Sequence, residues 1–247
     1  MQSKLVIVIG RGHSGTRAVA QTLLASGVYM GNRLNASNDL VPPEPMYEAS
    51  RLFGGHVVYR GGQEWDFSQL RDMEIEQPFT KLLDDYLRPV HASNAAVKGW
   101  KLPETNLMYP WIVRLFPEAY FVHWVRDPRD AVIGEHITDD LSQWNVPCDK
   151  TQNVRLQRAI SWKYQADIVE ATPRPENFIT VRFEDFVLDQ QQTLGRLEAF
   201  LEMPLVRTTV NAEAVGRYKS DDGEYDFTFL HQTMTRFGYL PDKETDS

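Results

Sequence analysis

The sequence predicts an α/β fold, a three-layer sandwich with a central parallel, doubly wound sheet. Short apolar runs rich in β-branched and aromatic residues recur at 5–9, 95–98, 119–125 and 178–183, as strands buried on both faces do. Segments with helical spacing lie between them, and alternation of this kind builds parallel sheets. The first run stops at Gly10, and a glycine-rich turn leads at once into a helix.

Taken in order, Leu5, Val6, Ile7, Val8 and Ile9 form the first strand, and Ala18, Val19, Thr22 and Leu23 mark one face of the helix that follows. Residues 31–95 lose periodicity and gain turn formers, among them Pro42, Pro43 and Pro45. A stretch this long is expected to carry short helices, at 48–53 and 77–88, and to fold over something as an acceptor-binding or lid insertion. Tyr47, Phe53, Tyr59, Trp65 and Phe67 lie in it. They serve equally well as core residues or as a stacking surface.

The second strand leads into Lys101-Leu102-Pro103-Glu104, and Thr105 is placed to cap a helix over 105–116 that Pro117 ends. The third strand, 119–125, contains His123, read as a buried core histidine. Residues 138–150 read as a loop, 153–171 as a long helix and 193–201 as another, with a last helix over 229–237. A polar run at 220–226 precedes that last helix and reads as mobile. Residues 210–247 form a tail expected to close on the ligand, fraying from 242 onward.

The chain is 247 residues long, which suits a single domain spanning 1–247. At 42% hydrophobic and 24% charged it has ordinary globular composition. The net charge of −8 argues against a nucleic-acid partner, so the arginines matter by position. Cys148 is the sole cysteine, which excludes an internal disulfide or a multi-thiolate metal site and suits a reducing cytoplasm. No apolar run is long enough to span a membrane, and the first is too short for a signal peptide. No membrane partner is expected.

The turn at 10–15 has the look of a phosphate cradle, because N–H groups at a helix N-terminus attract anions. Gly10 and Gly15 have the Walker A separation, which makes the expected fold a P-loop-containing sandwich, yet Thr16-Arg17 stands where Lys-Ser/Thr would follow. The missing lysine weighs against a kinase or nucleotide hydrolase. Arg11, Gly12, His13, Ser14, Gly15, Thr16 and Arg17 are the candidate ligand-binding residues.

Three separated segments together resemble the P-loop sulfotransferase family, bacterial type. They are His13-Ser14-Gly15-Thr16 after a strand, Arg126-Asp127-Pro128-Arg129-Asp130 after another, and Val181-Arg182-Phe183-Glu184-Asp185-Phe186 with a helix behind it. The tail stretches Val215-Gly216-Arg217-Tyr218-Lys219 and Phe237-Gly238-Tyr239 are also similar to that family's C-terminus. The resemblance implies the donor 3′-phosphoadenosine 5′-phosphosulfate (PAPS), with adenosine 3′,5′-bisphosphate (PAP) as product. It implies transfer to a hydroxyl or amine of a small-molecule or glycan acceptor, with no metal. A silent nucleotide-binding relative is the second reading.

By the same resemblance, the cradle takes the 5′-phosphate, Arg126 and Arg217 take the 3′-phosphate, and Lys101 reaches the transferring group. Two positions depart from the family. His13 stands where Lys or Arg is usual, leaving the charge there to a histidine or to Arg11 or Arg17. Gly134, eight residues after Arg126, stands where a serine is common. The family's Lys-x-His-x-Pro base is missing, and Glu44 is the first candidate for that role, with Glu48 and Glu104 behind it. Acceptor identity and oligomeric state are not written in these motifs.

Overall fold

A computed structural model describes residues 3–241. The tail expected to fray, 242–247, lies outside them. Strand β1 (Lys4–Ile9) is the centre of the molecule. Ile7 and Ile9 enter one core cluster and Val6 and Val8 the other, which is why the run has no polar position after Lys4. Helix α1 (Thr16–Ala25) follows the glycine turn, and α2 (Glu44–Gly54) comes next. A two-stranded hairpin of β2 (Val58–Gly61) and β3 (Glu64–Asp66) leads to α3 (Gln77–His91).

Strand β4 (Val97–Lys101) returns to the sheet and pairs with β1 in parallel, Lys4 opposite Val97 and Val8 opposite Lys101. The expected helix over 105–116 is instead a 3-10 turn, Pro103–Met108, followed by α4 (Tyr109–Leu115). Pro110 has no N–H to donate, so it fits only in the first turn of a helix, and this fixes the start of α4 just before it. Strand β5 (Tyr120–Val125) pairs with the other edge of β1. The short α5 (Pro128–Ala131) precedes the long α6 (Val154–Ala171), capped by Asn153 accepting from the Arg155 and Leu156 amides. Strand β6 (Phe178–Arg182), then α7 (Phe183–Leu188) and α8 (Gln190–Leu201), complete the sheet and its cover, and α9 (His231–Arg236) lies in the tail.

The sheet order is β4-β1-β5-β6, all parallel. Residues of α2, α3, α4 and α6 pack with Ile7, Trp100 and Phe121 on one face. Residues of α1, α7 and α8 pack with Val8, Val122 and Val181 on the other. This gives the expected three layers. The chain leaves β1 toward β4 and crosses back to β5, so the C-terminal strand ends flank a crevice of the kind where α/β sheets hold ligands. Within 31–95 the hairpin turns inward: Trp65 is buried against Tyr164 and its Nε1 donates to the Pro147 carbonyl at 2.8 Å. Phe53 and Phe67 are buried as well. His123 is a buried strand histidine, as expected, and burial pushes its pKa down to about 3.

Candidate active site

A cleft of about 500 Å³ opens at the C-terminal ends of β1, β4 and β5. The turn after β1 forms its floor. Gly15 takes a left-handed conformation (φ +82°) as the cap of α1, and a Cβ there would collide with the Phe183 ring. Glycine is therefore required on two counts. The cap leaves the first amides of α1, those of Thr16 and Arg17, without helical partners at the cleft floor.

Of the expected residues, Gly12, His13, Gly15, Thr16, Arg17, Lys101, Arg126 and Arg217 come together on this cleft. Arg11, Ser14 and Glu44 do not line it. The Arg11 side chain is turned inward, ion-paired with Asp139 and donating to the Ala131 carbonyl at 3.1 Å. Asp139 also meets Arg158 at 3.4 Å and accepts from the His136 amide at 2.7 Å. Arg11 thus braces the turn from behind. Ser14 is buried, and its carbonyl accepts from Trp124 Nε1 at 2.9 Å. Glu44 opens α2 with an exposed side chain, where it complements the helix dipole.

Arg126 is 5% exposed and reaches across the site. It donates to the His13 carbonyl at 3.0 Å and to the Ala214 carbonyl, lies 3.4 Å from Asp130, and stacks 4.6 Å from the Phe183 ring centroid. Its Nε has no partner among the described residues. Asp130 in turn accepts from the Gly216 amide at 2.7 Å and the Tyr218 amide at 3.0 Å, so the tail forms the far wall. Arg217, exposed on that wall, donates to the Asp130 carbonyl at 3.3 Å. The third motif holds this arrangement together: Glu184 accepts from the Asp127 amide at 2.9 Å and from the Tyr239 hydroxyl at 3.0 Å.

The two departures from the family pattern are one packing event. A Cβ at Gly134 would lie 2.6 Å from His13 Nδ1, so the His13 ring occupies the space a serine side chain would need. Partial desolvation and the nearby Arg11 lower the pKa of His13, with Arg217 and Arg126 adding to the effect against the pull of Asp139. His13 is therefore neutral at pH 7. With Arg11 turned inward, the cations that line the cleft are Arg17, Lys101, Arg126 and Arg217.

Two titratable lining residues were not expected from the sequence. Asp39, in the insertion, is 9% exposed and forms an ion pair with Lys101, whose Nζ also donates to the Ser37 carbonyl at 2.7 Å. Asp39 is the sole carboxylate among the described residues lining the cleft. Burial depresses the Lys101 pKa, while Asp39 raises it. The second is His136, whose Nδ1 accepts from the Thr138 amide at 3.2 Å. That bond fixes the tautomer and leaves Nε2–H as a donor. Burial, with Arg11 and His13 nearby, holds its pKa at about 3, so the ring stays neutral. His136 and Asp139 form a capping box in the structure, but His-x-x-Asp lacks the Ser/Thr and Glu/Gln of that motif's sequence signature, so nothing local singles out either His136 or Asp39.

Beside the cleft, Glu104 is 1% exposed, and its Oε2 has no partner among the described residues. Desolvation raises its pKa to about 8, against the pull of Lys101, so it is a neutral acid at pH 7.

No helix among the described residues is long and apolar enough to cross a membrane. The sulfotransferase domain from the curacin biosynthetic pathway superposes with a TM-score of 0.58 at 13% identity, covering 97% of this chain and 99% of that one. The sulfotransferase domain from the Synechococcus PCC 7002 olefin synthase gives 0.56 at 14% identity, covering 97% and 96%. At these identities the likeness shows the fold. A search of curated sequences found no match. The sequence model of the sulfotransferase family matches residues 6–207, a span that contains the glycine turn, Lys101, Arg126 and the Glu184 segment. By that match the chain belongs to the sulfotransferase family.

Proposed function

We propose that this protein transfers a sulfuryl group from PAPS to a hydroxyl or amine of a small-molecule or glycan acceptor. One observation carries the reading: a single cleft is lined by two sets of anion-holding groups, the amino end of α1 with Arg17, and Arg126 with Arg217. A donor with phosphate groups at its 5′ and 3′ positions needs two such sets, and a simple mononucleotide needs one. The partnerless Nε of Arg126 fits the same reading.

The donor, when bound, supplies an activated sulfuryl group attached through oxygen to phosphate. In-line transfer of this kind rests on positioning and on stabilising charge at the leaving oxygen. The Thr16 and Arg17 amides hold the 5′ side, and Arg126 and Arg217 the 3′ side. The neutral His136 offers an N–H without adding charge. Lys101 supplies a cation where negative charge grows. Asp39 takes the place that the sequence had suggested for Glu44, because it is the lining carboxylate and so the one placed to hold the proton released by the acceptor.

The test is calorimetric binding of PAP against free adenosine, followed by transfer of radiolabel from PAPS across hydroxyl and amine acceptors. PAP should bind far more tightly than adenosine. Equal binding would refute the reading. For an acceptor that is turned over, Asp39→Asn should lower kcat by about 10²- to 10⁴-fold while leaving PAP affinity within a few-fold.

A further inference from the structure

A second cavity, of about 390 Å³, lies on the α6 side of β5 and β6 and shares no lining residue with the donor cleft. Its lining combines charged and aromatic side chains. Arg71 and Arg174 are exposed cations of its lining, and neither is in an ion pair among the described residues. Arg71 donates to the Ala171 carbonyl at 2.6 Å, and Arg174 lies 5.1 Å from the Phe178 ring centroid. The carboxylate lining it, Glu170, faces Arg236 at 3.6 Å.

Its inner wall is Tyr109, His123, Phe178 and Phe237. Tyr109 is 1% exposed, yet its hydroxyl has no hydrogen-bond partner among the described residues. A buried phenol normally finds a partner, so a vacant one lining a cavity of this size indicates that something else completes it. His123 is held only loosely, its Nδ1 3.4 Å from Thr180 Oγ1. Burial and then Arg174 keep His123 neutral, so it adds a hydrogen-bonding group without a charge.

We infer that this cavity binds a small organic carboxylate with an aromatic body. The carboxylate is held by Arg71 and Arg174, the body lies between Phe178 and Phe237, and a polar group is met by the Tyr109 hydroxyl. The size falls within the range of small-molecule sites, and guanidinium groups suit carboxylate recognition. Two aromatic walls favour a flat body over inorganic phosphate. The inference is independent of the sulfotransferase reading, because no donor-cleft residue enters it.

The probe is 4-hydroxyphenylacetate, with 2-(4-hydroxyphenyl)ethanol and inorganic sulfate as controls, titrated calorimetrically into the full chain with and without saturating PAP. The carboxylate should bind at least about tenfold more tightly than either control, and PAP should not displace it. Arg174→Ala should weaken it about tenfold or more, and Tyr109→Phe several-fold, with PAP affinity unchanged in both. Thermal melting of Tyr109→Phe, which keeps the buried ring, checks that the fold persists; should either variant fail to fold, transfer of the probe's NMR saturation to the wild-type His123 ring decides. No binding, displacement by PAP, equal affinity for sulfate, or unchanged affinity in folded Arg174→Ala would each overturn the inference.

Discussion

Arg126→Ala is the most informative single change, because Arg126 is both the group proposed to bind the donor's 3′-phosphate and part of the fold. The substitution removes the bond to the His13 carbonyl at 3.0 Å, the contact with Ala214, the Asp130 pairing at 3.4 Å and the stack on Phe183. Loss of a charge-assisted contact to the 3′-phosphate costs about 1.5–3 kcal/mol, or about 10- to 150-fold in Kd. Breaking a buried ion pair can cost about 3–5 kcal/mol of stability. Asp130 keeps the Gly216 and Tyr218 amides, so the loss should sit at or below the low end of that range. The two effects separate by titrating PAP and adenosine 5′-monophosphate, which lacks the 3′-phosphate, into both proteins below the variant's melting temperature. Wild type should prefer PAP, and the variant should lose that preference while keeping its affinity for the monophosphate. If the variant weakens both nucleotides equally, Arg126 acts through the fold alone and its assignment to the 3′-phosphate is wrong.

Three further outcomes are expected. Gly134→Ser should lower both melting temperature and PAP affinity because of the 2.6 Å approach to His13, and His13→Lys should relieve that loss, with a coupling in the double-mutant cycle of about 0.5–3 kcal/mol; strictly additive effects would show the two positions to be independent. Glu104 has its pKa raised to about 8, so the native state holds its proton between about 4.5 and 8 while the unfolded chain loses it, and stability falls with rising pH there by up to about 1.4 kcal/mol per unit. In urea melts from pH 6.5 to 8, Glu104→Gln should abolish most of that fall, and an unchanged slope would count against a buried neutral acid. His123 and His136, both near 3 in the native state, have the opposite sign: the unfolded chain binds their protons first as pH drops below about 6.5, so each lowers stability on acidification by up to about 1.4 kcal/mol per unit. Melts of Glu104→Gln from pH 6.5 to 5 should show this fall, and His123→Gln in that background should lessen the slope by up to about 1.4 kcal/mol per unit; an unchanged slope would count against a buried neutral His123.

The sheet was legible because its strands are buried on both faces and so are spelled as nearly unbroken apolar runs, as in 119–125. The end of β4 was harder to place. Lys98 and Lys101 interrupt its pattern, and they are tolerated because Lys98 Nζ reaches the His91 and Ser93 carbonyls while Lys101 meets Asp39. The glycine turn and Arg126 were readable because the Gly10–Gly15 spacing and the Arg-Asp-Pro-Arg-Asp run are local spelling, although the contacts that hold Arg126, to His13 and Ala214, are not local. Arg11 and Glu44 were not, because whether a side chain faces a cleft depends on partners such as Asp139 that lie more than a hundred positions away. Asp39 was invisible for the same reason: its partner is 62 residues along. The aromatics of the insertion illustrate the limit of composition, which could not tell a stacking surface from the core that Phe53, Trp65 and Phe67 build.

The Asp130 clasp on the tail has a consequence for the integrity of the cleft. Its contacts with Gly216 and Tyr218 span 86 and 88 residues, far more than separates the partners within any helix. Closing so long a loop costs chain entropy, so the far wall of the cleft depends on the turn that carries Asp130 to hold it. A ligand that spans the cleft touches the turn after β1 and the tail together, and so holds two distant parts of the sequence in place.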